Sequence, residues 1–196
     1  PIVSFFSKNA SIKLQNEWER RLQIYSSSIK LVPLLSKDAK KATSTLLWKA
    51  PLEILNKQKN LKGIISLGQG VDHILKNNSI PVNIPIVRIV DPYMAKSMSH
   101  WVILCVLNFI RDTYGYYNQE KLKRYKSRNE LNFLSLNIGI YGVGAIGSVV
   151  AKDLHSLGFS IKGWSRTKKE IEGLKCYIGE HSMDELIKGC DIHICL

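Results

Sequence analysis

Three glycines stand in the order Gly142, Gly144 and Gly147 within "NIGIYGVGAIGSVVAKDL", Asn137 to Leu154. An apolar run precedes them and a helical pattern follows, the context in which a G-x-G-x-x-G turn binds a dinucleotide. The first glycine permits the tight bend, the second lets the backbone approach a pyrophosphate, and the third lets the helix pack on the strand. The phosphates would then meet the free N–H groups and positive dipole end of the helix, at Ala145, Ile146 and Gly147. Which dinucleotide is held depends on the end of the next strand, roughly 20 residues on, where an acid would bond a ribose 2′-OH. Here that place reads "GWSRTKKE", Gly163 to Glu170. Ser165, Arg166, Thr167 and Lys168 stand where an acid would repel a 2′-phosphate, and Arg and Lys with two hydroxyls would pair with one. NADP(H) is favoured over NAD(H). On spacing alone, a solvent-facing basic loop is the competing reading. A second glycine-flanked turn, "LGQGVD" from Leu67 to Asp72, joins a strand to a helix whose N-terminus would face an anion; it reads equally well as an ordinary connection.

Other chemistry is thinner. The four cysteines, Cys105, Cys176, Cys190 and Cys195, form no C-x-x-C pair. Neither a zinc site nor a redox pair is indicated, and no metal is expected. They read as reduced core residues of a cytoplasmic protein. Of the five histidines, His73 and His155 fall in helical patterns, His181 in a loop, and His193 in the last strand. His100 sits beside Trp101 in a long helix. The net charge of +12 invites a nucleic-acid reading. The basic residues are scattered, however, and the densest stretch, "EKLKRYKSRNE" from Glu120 to Glu130, carries two glutamates. It reads as a solvated helix end, and no nucleic-acid partner is expected. No run approaches the ~20 apolar residues of a membrane span.

Short β-like runs alternate with amphipathic stretches over the first ninety residues. Strands are expected at "PIVSFFS", "IKLVPLL", "TSTLLW", "LKGIISLG" and "IPIVRIVD", with Pro33 placing the second at an edge. Helices are expected over "ASIKLQNEWERRLQIYS" (stripe Ile12, Leu14, Trp18, Leu22, Tyr25), at "PLEILNKQK" with proline at its start, and at "GVDHILKN". This pitch implies a parallel sheet covered on both faces. A long helix follows from Met94 to about Tyr117, its stripe Met94, Met98, Trp101, Val102, Cys105, Phe109 and Ile110. A second α/β pattern begins at Leu136, with a capping box at Ser182–Glu185 and helix ends at Gly158 and Gly189. The expected fold class is α/β: a flavodoxin-like substrate domain over residues 1–93, then a hinge or dimer helix and the first half of a Rossmann domain over 94–196. A dinucleotide fold needs two βαβαβ halves, so the chain reads as C-terminally truncated.

Together these pieces resemble the D-isomer-specific 2-hydroxyacid dehydrogenases, most closely their glyoxylate/hydroxypyruvate reductase A branch. The resemblance rests on "LLWKAPLEIL", "LKGIISLGQGVDHIL", "IPIVRIVDPYMAKSM", "IGIYGVGAIGSVVAKDLHSLGF" and "GWSRT". It implies an active site in the cleft between two domains. Gln69 and Gly70 would offer backbone N–H groups to a substrate carboxylate, and Trp48 would line the pocket. It also implies a homodimer through the long helix, and a catalytic Arg, Glu and His that would follow Leu196. Many members carry a Glu where this chain has His100. The implied activity is NADPH-dependent reduction of small 2-oxoacids, glyoxylate or hydroxypyruvate. The alternatives are a dinucleotide-sensing regulatory protein of the same fold and an inactive fragment.

Overall fold

The computed structural model describes residues 1–76, 80, 83–128 and 131–196. The end of the helix expected over "GVDHILKN" (Asn77) and the last two residues of the basic stretch, Asn129 and Glu130, lie outside the described residues. The chain divides into two compact units, Pro1–Val90 and Asp91–Leu196.

The first unit is built on five strands: β1 (Ile2–Ser7), β2 (Lys30–Pro33), β3 (Ser44–Trp48), β4 (Gly63–Ser66) and β5 (Ile86–Arg88). They run parallel in the order β2-β1-β3-β4-β5, the flavodoxin-like arrangement. Pro33 ends the edge strand β2, where its missing N–H costs no ladder bond. Both faces are covered, so adjacent residues of β3 serve opposite cores. Leu46 packs with Phe5 and Leu31 against Trp18 and Leu22 of helix α1 (Ile12–Gln23). Leu47 packs with Leu34, Leu55, Ile64 and Ile74 on the other side. Of the stripe expected on α1, Ile12, Leu14 and Tyr25 are exposed; the helix begins at Ile12 and stops before Tyr25, and its packed residues are Trp18 and Leu22.

Two connections are tight turns. Lys37–Lys41 and Leu52–Lys57 are 3₁₀ turns, the latter beginning after Pro51 rather than on it. The helix after β4, α2 (Asp72–Leu75), has only four residues. Parallel strands bring their carboxyl ends to one edge, so Trp48, the Leu67–Gly70 turn and Arg88 are neighbours there. The register pairs Ser66 with Leu47 on one side and with Arg88 on the other.

The second unit opens with α3 (Pro92–Ile110), capped by Asp91, whose carboxylate accepts from the Tyr93 N–H at 2.9 Å. The single helix expected to reach Tyr117 is two. Asp112 adopts a left-handed conformation (φ 46°), which breaks the helix, and its carboxylate caps α4 (Thr113–Lys121) through Gly115 N–H. The buried face of α3 also differs from the expected stripe: it is Ala95, Ser99, Val102, Val106 and Ile110. Met94, Met98, Trp101, Cys105 and Phe109 are exposed. The helix is apolar nearly all round, so its periodicity has no single answer, and the small residues Ala95 and Ser99 win because they allow close approach.

What α3 approaches is α5 (Ala145–Ser156). There Asp153 accepts two bonds from Lys96 Nζ, both 2.8 Å, and one from Ser99 Oγ at 2.6 Å. Burial pushes the Asp153 carboxyl up, but these bonds outweigh it and hold the group below its ordinary value.

Four parallel strands, β6 (Asn137–Tyr141), β7 (Ser160–Ser165), β8 (Leu174–Ile178) and β9 (Ile192–Cys195), take the order β8-β7-β6-β9. The chain steps outward from β6 through β7 to β8, then returns by helix α6 (His181–Lys188) to place β9 on the far side of β6. The core lies between sheet and helices, with Ile138, Ile140, Val150, Leu154 and Ile161 at its centre. The expected capping box does not form. Ser182 lies inside α6, and its hydroxyl donates back to the carbonyls of Ile178 and Gly179, 2.8 and 2.9 Å away. His181 accordingly opens a helix rather than lying in a loop. The cysteines are free, but none is in a core: Cys105 and Cys195 are exposed, Cys176 and Cys190 half-buried.

Candidate functional site

The reversal of direction between β7 and β9, one to each side of β6, makes a topological switch point at the carboxyl end of β6, the place where open α/β sheets bind ligands. The three glycines sit there, and each faces a different constraint. Gly142 takes φ +107°, and a Cβ on it would lie 2.6 Å from the carbonyl oxygen of Leu196 at the end of β9. A Cβ on Gly147 would lie 2.2 Å from the Gly142 carbonyl oxygen, so α5 packs on the turn only because nothing is there. A Cβ on Gly144 would meet no atom within 4 Å. The fold therefore needs the first and third glycines sterically and leaves open space at the second.

Gly144 is the N-cap of the 12-residue α5 and supplies no capping side chain. The first-turn N–H groups of an α-helix have no intrahelical partner. Here those of Ala145, Ile146 and Gly147 point out beside the open space at Gly144, where the helix dipole favours an anion.

The turn is tied to β7. Gly142 and Val143 both donate their N–H to the Trp164 carbonyl, at 3.0 and 3.2 Å. The basic segment begins two residues later. Arg166, Thr167 and Lys168 are exposed, and Lys168 lies 3.6 Å from Glu170 on the surface. Ser165 differs from its neighbours. It is buried, and its hydroxyl donates to the Thr167 carbonyl, so it shapes the turn from within.

The other glycine turn lies in the first unit. Trp48 ends β3 with its ring laid on Gly68, where a Cβ would come within 1.9 Å of the ring. The His73 ring meets Trp48 edge-on at 6.0 Å. Ser66 Oγ accepts from Gly68 N–H at 3.3 Å and donates to the Gly70 carbonyl at 3.5 Å. Gln69 and Gly70 follow on the same bend. The expected helix dipole is weak here, since α2 is a single turn; what anion affinity the bend has must come from its N–H groups and from nearby charge.

The histidines take structural places. His73 lies under Trp48, His100 is exposed on α3, and His193 Nδ1 is 2.8 Å from the Tyr141 hydroxyl. No cluster of three or more His, Cys, Asp or Glu side chains among the described residues is placed to hold a metal. No described helix is long and apolar enough to cross a membrane. Sequence reasoning missed the Asp153–Lys96–Ser99 cluster and the approach of Arg88 to Gln69 (3.4 Å from Nη1 to the carbonyl). Both pair residues from separate elements, which periodicity does not report.

Residues 101–196 match the family model for the NAD binding domain of the D-isomer specific 2-hydroxyacid dehydrogenases. Residues 101–196 belong to that domain family. Among curated family members the chain is 33% identical over 162 residues to glyoxylate/hydroxypyruvate reductase A of Yersinia enterocolitica, covering 80% of this chain and 52% of that one. The reductase A of Photorhabdus laumondii is 29% identical over 183 residues, covering 91% and 58%. A solved family member from Xanthobacter autotrophicus, in complex with NADPH and MES, superposes with a TM-score of 0.84 at 26% identity. A probable 2-hydroxyacid dehydrogenase from Rhizobium etli, with NADP, HEPES and L(+)-tartaric acid, does so at 0.83 and 29%. Each covers all of this chain, which accounts for 62% and 61% of theirs. The chain thus spans about half to three-fifths of the length of these relatives.

Proposed function

We propose that the intact protein reduces small 2-oxoacids, glyoxylate or hydroxypyruvate, to 2-hydroxy acids with NADPH. The second unit is the cofactor side and the first unit the substrate side. The observation that carries the reading is the pairing of an uncapped helix N-terminus at Gly144–Gly147 with a β7 end that presents Arg166 and Lys168 and no acid. The N–H groups of Ala145, Ile146 and Gly147 bind the pyrophosphate. Arg166, Thr167 and Lys168 bind the 2′-phosphate, with Ser165 holding their turn in shape. The bound nicotinamide supplies the hydride. On the substrate side, Gln69 and Gly70 hold the carboxylate by backbone N–H groups, and Trp48 walls the pocket, fixing which way the 2-oxo group faces. The family resemblance implies that an Arg, Glu and His set outside these 196 residues protonates the carbonyl oxygen. We assign the protein to the cytoplasm as a homodimer through α3. The exposed side of that helix, with Trp101 at 62% and Phe109 at 59%, supports the dimer.

The test is Arg166→Asp in the full-length enzyme. Loss of one charge-assisted contact and gain of a repulsive one lowers kcat/KM with NADPH on the order of 100-fold, and leaves NADH within severalfold. Steady-state kinetics with both cofactors reads this out; an unaltered preference for NADPH would remove the cofactor assignment.

A further inference from the structure

We propose that Arg88, at the carboxyl end of β5, is a positioning and charge-supplying residue for the turn that holds the substrate carboxylate. The inference rests on the reading of Gln69 and Gly70 as that turn. Strand pairing puts Arg88 level with Ser66, so it leaves the sheet at the edge where the turn begins. Its Nη1 donates to the Gln69 carbonyl at 3.4 Å. In a trans peptide the carbonyl and the following N–H point in opposite directions. By holding the Gln69 carbonyl on its own side, Arg88 turns the Gly70 N–H to the other. Ser66, through its bond to the Gly70 carbonyl, does the same for the next peptide and the Val71 N–H.

Charge is the second half of the argument. The turn is formally neutral, α2 is too short to contribute much of a dipole, and Asp72 in its first turn carries a negative charge. A carboxylate bound here requires a nearby cation. Lys49 and Arg88 are among the cations at this edge. Lys49 keeps its ammonium 5.5 Å from the centre of the Trp48 ring, whereas Arg88 touches the turn itself. The Arg88 guanidinium stays charged at every working pH, so it draws a carboxylate to the turn through its field although the Gly70 N–H faces away from it. Four buried side-chain polar atoms lack a hydrogen-bond partner among the described residues; one, Gln69 Nε2, belongs to this turn, and another, His73 Nε2, to helix α2 that follows it. Buried polar groups are rarely left so, which sets the Gln69 side chain apart from the rest of the bend.

The experiment uses the full-length enzyme with NADPH and glyoxylate, and oxalate as an unreactive carboxylate probe. Arg88→Met raises the KM for glyoxylate and the inhibition constant for oxalate by roughly tenfold or more, while the KM for NADPH stays within about twofold. Arg88→Lys, which keeps the charge without the guanidinium, recovers part of both losses. An active wild type whose Arg88→Met variant keeps its KM for glyoxylate within about twofold would overturn the inference alone. Equal weakening of NADPH and glyoxylate in both variants, the mark of general damage, would overturn it too. A wild type that reduces no 2-oxoacid and ignores oxalate would remove the underlying reading together with the inference.

Discussion

The two glycine turns do comparable work by different means. At Gly142–Gly147 the constraint is backbone against backbone: Gly147 faces the Gly142 carbonyl, and Gly142 faces that of Leu196. The helix that follows has 12 residues and carries its own dipole. At Gly68–Gly70 the close contact is with a side chain, the Trp48 ring, and the helix has four residues. Backbone crowding is intrinsic to a short motif. A turn that depends on a distant tryptophan and a distant arginine is assembled by the fold. The first can be recognised from six consecutive residues; the second cannot.

That contrast can be broken most forcefully at Gly147. Gly147→Ala puts a methyl against a carbonyl that cannot move without unseating β6 or α5, and costs about 3 kcal/mol by urea unfolding of the full-length protein. Gly144→Ala, which meets open space, costs less than about 1 kcal/mol yet weakens NADPH binding. Equal destabilisation by the two would show that crowding does not distinguish these positions. Gly68→Ala sits between these cases. Its Cβ overlaps the far end of the Trp48 ring, which can swing aside, so stability falls by only about 1 kcal/mol. Tryptophan emission shifts and the KM for glyoxylate rises; an unchanged emission spectrum would mean the ring does not rest on Gly68.

The smallest expected effect concerns the support behind the first turn. The folded-state pKa of Asp153 is depressed, so its contribution to stability is fully present above the unfolded value near ~4 and is lost as pH falls through the folded value. Asp153→Asn flattens that acid limb in thermal melts taken from neutral pH downward, and leaves Gly68-dependent emission untouched. An acid limb as steep as in the wild type would dismiss the Lys96–Asp153–Ser99 cluster as a stabilising clamp.

The strands of both sheets and the β6–turn–α5 unit were legible because alternation and glycine spacing are local signals. The face of α3 was not, because Met94, Met98, Trp101 and Phe109 compete with Val102 and Val106 for the same period. What decides is the small pair Ala95 and Ser99 opposite Asp153, a contact 54 residues apart in sequence. The break at Asp112 escaped notice because no glycine or proline marks it; an aspartate in a left-handed conformation does the job. Ser182 looked like a cap by its spacing to Glu185, but its hydroxyl turns to Ile178 and Gly179 instead. On the candidate site, the proposed cofactor residues rest on type and spacing. Trp48, Gln69 and Gly70 came through family resemblance, and Arg88 needed the strand register.

The Trp164 carbonyl, accepting from both Gly142 and Val143, has a practical consequence for redesign. It is a fixed joint just before the residues proposed to choose between cofactors. The exposed side chains of Arg166, Thr167 and Lys168 lie outside that joint, so they form a replaceable cassette. Exchanging them for an acidic set would convert the chain toward the non-phosphorylated dinucleotide without re-laying the cradle beneath the pyrophosphate.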